Sequence, residues 1–207
     1  MSEVVAAAIT LLLLGSVTAH SADRCRYDEQ ALLALDENAF DQDWVGTGGG
    51  WRTIASIPGC ELAAAELLAA YQAKHPYSNS ILAWHEGQMR ASANQYERAI
   101  PLLESARKPA DQDDAGWNFY VDATVAFLRH DKSKLLEARR LLASVAFPEN
   151  SGYPALKDGI VEMPARPGKP SMKFRWPINI DTVDGLVACF DKPYSEAYAV
   201  SCRPAPP

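Results

Sequence analysis

Trp51, Trp84 and Trp117 stand thirty-three residues apart, each from the next. This period constrains the fold more than any other feature of the chain. A helix pair of about 34 residues cannot bury its apolar face alone, and buries it by stacking on a copy of itself. The spacing therefore predicts stacked helix pairs through the middle of the protein. It carries no information about what such a stack would hold.

Local patterns agree with that reading. Asp28 to Leu35 reads as a short helix, and Asp36 to Gly50 as a polar, glycine-rich loop. Cys60 to Lys74 has good helix formers around an apolar stripe of Leu62, Ala65, Ala69 and Tyr71, and ends before Pro76. Ser78, Asn79 or Ser80 caps a helix running to about Ala93. Asn94-Gln95 makes a tight turn before a partner helix from Tyr96 to Arg107, with Pro101 inside it. Asp113 or Asp114 caps a helix from Ala115 to Arg129, and Lys134 to Val145 returns. Six prolines between Phe147 and Pro177 exclude long helices and central strands, so this stretch reads as irregular. It also holds a local basic excess in Lys157, Arg166, Lys169, Lys173 and Arg175. Asp181 to Phe190 is helical again, and Tyr194 to Val200 forms a last short helix.

Residues 80 to 111 resemble a tetratricopeptide repeat. Trp84, Gly87, Asn94, Tyr96, Ala99, Leu103 and Ala106 occupy places matching that family's aromatic and small residues. Trp84 lies one place off, Glu86 replaces the usual leucine, and Pro109 comes two residues early. Ala65 precedes Ala99 by 34 residues, but residues 46–58 do not read as a first helix. Trp117, Tyr120 and Ala123 begin a further unit, whose Ala138 lies 39 residues beyond Ala99. The resemblance covers residues 60–146. It implies a short array of antiparallel helical hairpins; with the irregular Pro-rich segment 147–177 and a small C-terminal helical cap over 178–207, which lie outside the resemblance, the expected fold is all-α.

The N-terminus has the layout of an export signal. An apolar run from Val4 to Leu14, too short for a stable membrane span, is followed by Val17-Thr18-Ala19, which places cleavage after Ala19. No Lys or Arg precedes the run. A single domain of 188 residues, 20–207, would remain, in the periplasm or outside the cell. No later stretch is apolar enough for stable membrane insertion. The net charge is −6, or −5 without Glu3, which argues against nucleic acid as a partner. Four cysteines in an exported chain point to two disulfides. Three pairings are open. Cys25–Cys60 with Cys189–Cys202 is favoured, because each pair flanks one terminal segment. No two cysteines have zinc-site spacing.

Catalytic patterns are incomplete. His85-Glu86 resembles the start of HExxH, but Met89 stands where the second histidine is needed. Asp41, Asp43 and Gly46 imitate a calcium loop that fails at Val45 and Arg52, and reads as a polar turn. Gly48-Gly49-Gly50 lacks the lysine and hydroxyl of a phosphate loop. His75 and His130 sit at helix ends, where a cation suits the helix dipole. No catalytic residue, metal or cofactor is assigned. Surface chemistry remains. In a repeat array the first helices line the concave face, which nominates His85, Glu86, Gln88 and Arg90 on one helix, and Asn118 and Asp122 on the next, as groove residues. Trp84, Trp117 and Tyr120 are expected in the core. The leading expectation is an exported protein- or peptide-binding scaffold. An inhibitor that plugs an enzyme cleft with residues 147–177 is one alternative. An enzyme with a site around His85 and Glu86 is another.

Overall fold

A computed structural model describes residues 24–41, 49–76, 81–148, 152–165 and 170–205. The export signal, Asp43 and Gly46 of the calcium-like turn, the Ser78–Ser80 cap, and Arg166 and Lys169 lie outside them. Among the described residues there are ten α-helices and one small antiparallel sheet. The helices are α1 (Glu29–Leu33), α2 (Glu37–Asp41), α3 (Trp51–Ala55), α4 (Glu61–Lys74), α5 (Ile81–Ser92), α6 (Tyr96–Ser105), α7 (Trp117–Leu128), α8 (Lys132–Ala143), α9 (Ile180–Ala188) and α10 (Tyr194–Ala197). Strands β1 (Leu156–Lys157), β2 (Ile160–Met163) and β3 (Met172–Arg175) pair in that order.

Capping side chains set several helix starts. Asp28 accepts the Ala31 amide at 3.0 Å and Asp131 the Lys134 amide at 3.0 Å. The Asp113 carboxylate spans two orphan donors of α7, the amides of Trp117 and Asn118. Asn94 and His130 take left-handed backbone at the α5–α6 and α7–α8 turns, with φ of 59° and 53°. Gly87 lies against α6. A Cβ there would lie 2.8 Å from Leu103 and 3.3 Å from the Ala99 carbonyl oxygen. A methyl there would require the Leu103 side chain to shift.

Apolar burial divides into two clusters. The first joins α2, α3 and α4 through Phe40, Trp51, Ile54, Leu67, Leu68 and Tyr71, with Leu82 of α5. The second joins α5 to α10 around Trp84, Leu103, Tyr120, Val121, Leu135, Leu142, Leu186 and Tyr194. Helix α5 contributes to both. It therefore has apolar packing on more than one side, and its polar residues must find partners indoors. Disulfides Cys25–Cys60 and Cys189–Cys202 tie down the two ends of the chain. Each contributes about 2–4 kcal/mol through loop closure in the unfolded chain.

Three expectations are corrected. The fold is mostly helical but not all-α, since residues 156–175 hold the three-stranded sheet with β2 at its centre. The prolines are punctuation: Pro154 and Pro164 flank the β1–β2 hairpin, and no strand contains one. That hairpin turns through Asp158 and Gly159, both at positive φ. Second, the polar stretch after Asp36 begins with α2, whose first turn Asp36 caps through the Ala39 amide at 2.9 Å. Third, the buried face of α4 is Ala64, Ala65, Leu67, Leu68 and Tyr71, while Leu62 points outward. Flanking helices on both sides of α4 displaced the simple stripe.

The sheet is not adrift. Arg175 on β3 pairs with Asp181 and Asp184 of α9, and Asp184 also receives Arg139 of α8 at 2.8 Å. Trp176 donates its indole N–H to the Val145 carbonyl at 2.9 Å and meets the rings of Phe147 and Tyr153.

Candidate functional site

The tryptophan period has a physical counterpart. Trp84 and Trp117 meet at 4.7 Å between ring centroids, with Tyr120 against both. Trp51 instead meets His85, the residue after Trp84, at 5.1 Å. Trp51 and Trp84 are buried, and Trp117 is half-buried with its N–H on the Ala106 carbonyl.

Two polar networks leave opposite sides of α5. In the first, the buried Asp41 carboxylate accepts the Trp51 indole N–H at 2.9 Å and an Arg52 N–H at 3.2 Å. His85 Nε2 lies 3.4 Å from the same carboxylate and 3.2 Å from Arg52 Nη2, and its Nδ1 is 3.3 Å from Gln88 Oε1. Burial lowers the His85 pKa below the usual 6.5. Asp41 opposes that shift, the Arg52 charge adds to it, and the Gln88 bond opposes it. A neutral ring fits these contacts, with Nδ1–H donated to Gln88 and Nε2 accepting from Arg52. The enclosed Tyr194 hydroxyl makes no hydrogen bond of ordinary geometry, although the Gln88 side chain lies beside it.

In the second network, Glu86 accepts Arg90 Nε at 2.6 Å and Gln72 at 2.9 Å. Arg90 also donates to Glu66 and Gln95, each at 3.0 Å. Glu86 is 6% exposed and Arg90 2%. A carboxylate and a guanidinium at that depth need each other and further partners, and here they have them. This accounts for Glu86 at a position where the repeat pattern has leucine.

The nominated groove residues therefore separate. Glu86, Gln88 and Arg90 are interior groups rather than walls of an open groove, because apolar clusters flank α5 on both sides. His85 and Glu86 are adjacent in sequence yet serve different networks, so they do not converge on one point. Asn118 is turned onto the chain before α7, accepting the Lys108 amide at 3.0 Å and donating to the Lys108 carbonyl at 2.9 Å. Asp122 lines a surface cleft. Asp41 was missed as the partner of His85. The period does coincide with the neighbouring Arg52–His85 contact, whose residues are thirty-three apart.

The cleft lies between α6, α7 and α8 and encloses about 210 Å³. Val125, Ala126, Ala138 and Leu141 supply apolar surface, while Glu104, Arg107, Asp122, Arg129, Lys134 and Glu137 supply charges of both signs. Arg107 pairs with Asp122 and Arg129 with Glu104, and all four side chains are more than a third exposed. No group of three or more metal-ligating side chains occurs among the described residues. No known protein family matches the chain, and no curated protein or solved structure is similar to it.

Proposed function

We propose that this protein is an exported binding module that holds a polypeptide segment in the α6–α7–α8 cleft. The cleft itself carries the reading. At about 210 Å³ it is smaller than the roughly 300–1,000 Å³ usual for small-molecule sites, and suits the anchoring side chains of a larger partner. Its apolar floor takes an aliphatic side chain. Its mixed charges suit a partner bearing both signs, which neither nucleic acid nor an anionic lipid surface offers. The closing ion pairs are exposed, so a partner exchanges them at little cost.

The helices around the cleft work as tetratricopeptide-like units in this reading. Support comes from the close Gly87–Ala99 approach and from the left-handed Asn94 turn, both at positions the repeat pattern nominates. Export is supported by the two disulfides, which persist in oxidising compartments. Among the described residues no helix is long and apolar enough to cross a membrane.

Peptides selected from a random display library on the immobilised protein test the proposal. Arg107→Glu/Arg129→Glu should weaken them at least about tenfold, the loss expected when like charges replace complementary ones. Unchanged affinity in a folded double variant would refute the cleft as the binding site.

A further inference from the structure

We propose that the outer edge of β3 takes an extended, carboxylate-bearing peptide by strand addition. This site is separate from the helical cleft and does not depend on it. Strand β3 pairs with β2 along one edge, with Val161 opposite Phe174 and Ile160 opposite Arg175. Among the described residues, no backbone bond other than those to β2 is made by Met172 to Arg175. Every second amide and carbonyl of an antiparallel edge strand points away from its partner, so β3 presents unpaired main-chain groups.

A second cavity of about 390 Å³ runs along that edge. Lys173, Phe174 and Arg175 all line it. Successive side chains of a strand point to opposite faces, so a space touching three in a row follows the backbone. Its far wall is the C-terminal turn, with Tyr198, Val200, Arg203 and Pro204. The groove is thus bounded by a strand edge on one side and a chain segment on the other, a layout suited to one more strand.

The charges select the occupant. Arg175 is neutralised by Asp181 and Asp184. Arg203 and Lys173 make no ion pair among the described residues, although Glu162 stands opposite Lys173 across the ladder. Arg203 is half-buried and held in place. Its Nε and Nη2 donate to the Tyr198 carbonyl, and its guanidinium lies 4.9 Å from the Tyr198 ring centroid. Arg203, a cation of the groove wall with no ion pair among the described residues, favours an anionic group on the occupant. Thr182 adds a polar group on the same wall. It is 5% exposed. Val200, 74% exposed, offers apolar surface beside them.

The probe is a fluorophore-labelled hexapeptide of alternating valine and glutamate with a free C-terminal carboxylate, followed by fluorescence anisotropy on the full chain. Saturable binding is expected. N-methylation of alternate peptide amides should weaken it at least about tenfold, because methylation removes the main-chain donors while leaving charge intact. Replacing the glutamates by glutamine and amidating the terminus should cost a similar factor, as should Arg203→Gln in the protein. The Arg107→Glu/Arg129→Glu variant should bind as wild type does. The proposal is overturned by no saturable binding up to about 1 mM, by an N-methylated peptide that binds like its parent, or by Arg203→Gln binding like wild type. It is equally overturned if the helical-cleft variant loses the peptide.

Discussion

Two arginine–carboxylate pairs stand one helix apart and do different things. Arg90–Glu86 is buried, with distances of 2.6–3.0 Å to Glu86, Glu66 and Gln95. Arg107–Asp122 joins α6 to α7 at the mouth of a cleft, with side chains 38% and 46% exposed. The chemistry is the same and the surroundings are not. Indoors, each charge has lost its water, and removing one partner strands the other. Outdoors, water substitutes for either partner, so the pair adds little to stability and remains free to trade partners. The interior pair fixes how α5 sits between its neighbours, whereas the exterior pair is available for recognition.

The largest effect should come from breaking the interior pair. Arg90→Met leaves the Glu86 carboxylate buried with Gln72 as its remaining side-chain partner, and should cost about 3–5 kcal/mol in denaturant unfolding. Arg90→Met/Glu86→Leu should recover much of that, since two apolar groups leave no stranded charge. A double variant as unstable as the single would break the comparison.

Gly87→Ala should come next, at about 1–3 kcal/mol, because the new methyl meets Leu103 where α5 and α6 touch. A thermal midpoint matching wild type would show that the helices can separate there without penalty.

The His85 network gives a smaller, pH-dependent effect. The folded pKa of His85 is depressed, so below about 6.5 the unfolded chain takes up a proton that the folded chain resists. Its contribution is complete above pH 6.5 and is lost as pH falls through the folded value. Guanidinium unfolding at pH 7.5 and 5.0 should therefore show a larger acid loss for wild type than for His85→Gln. Equal losses would place the ring in water. The smallest effect should be Arg107→Ala, under about 1 kcal/mol, read from the same unfolding curves. A larger cost would mean that the cleft pair is a structural brace.

Much of the helical frame was legible because its signals are local. Asp113, one of the two expected caps, does cap α7, and Asn94 turns where a left-handed residue is needed. Gly87 and Ala99 were legible as close-packing positions from the repeat pattern. The favoured disulfide pairing agrees with the bonds in the fold. Other features depend on distant partners. The helix stripe named Leu62 for the core, but flanking α1, α3 and α5 decide which face of α4 is covered. Proline counting over residues 147–177 missed the sheet because the strands are only two to four residues long and fit between prolines. Periodicity placed Glu86, Gln88 and Arg90 on a groove, since a one-dimensional pattern does not register that α5 joins two cores. Asp122 was found because its helix face is open, and Asp41 was missed because its partner lies forty-four residues away.

Hydrogen exchange on the protein with a display-selected peptide bound most directly tests whether the outer cleft, not the inner network, meets the partner. Slowed exchange in α6, α7 and α8, with α4 and α5 unchanged, is the result this account predicts. Protection centred on α5 around His85 and Arg90, with none in α7 and α8, would contradict it.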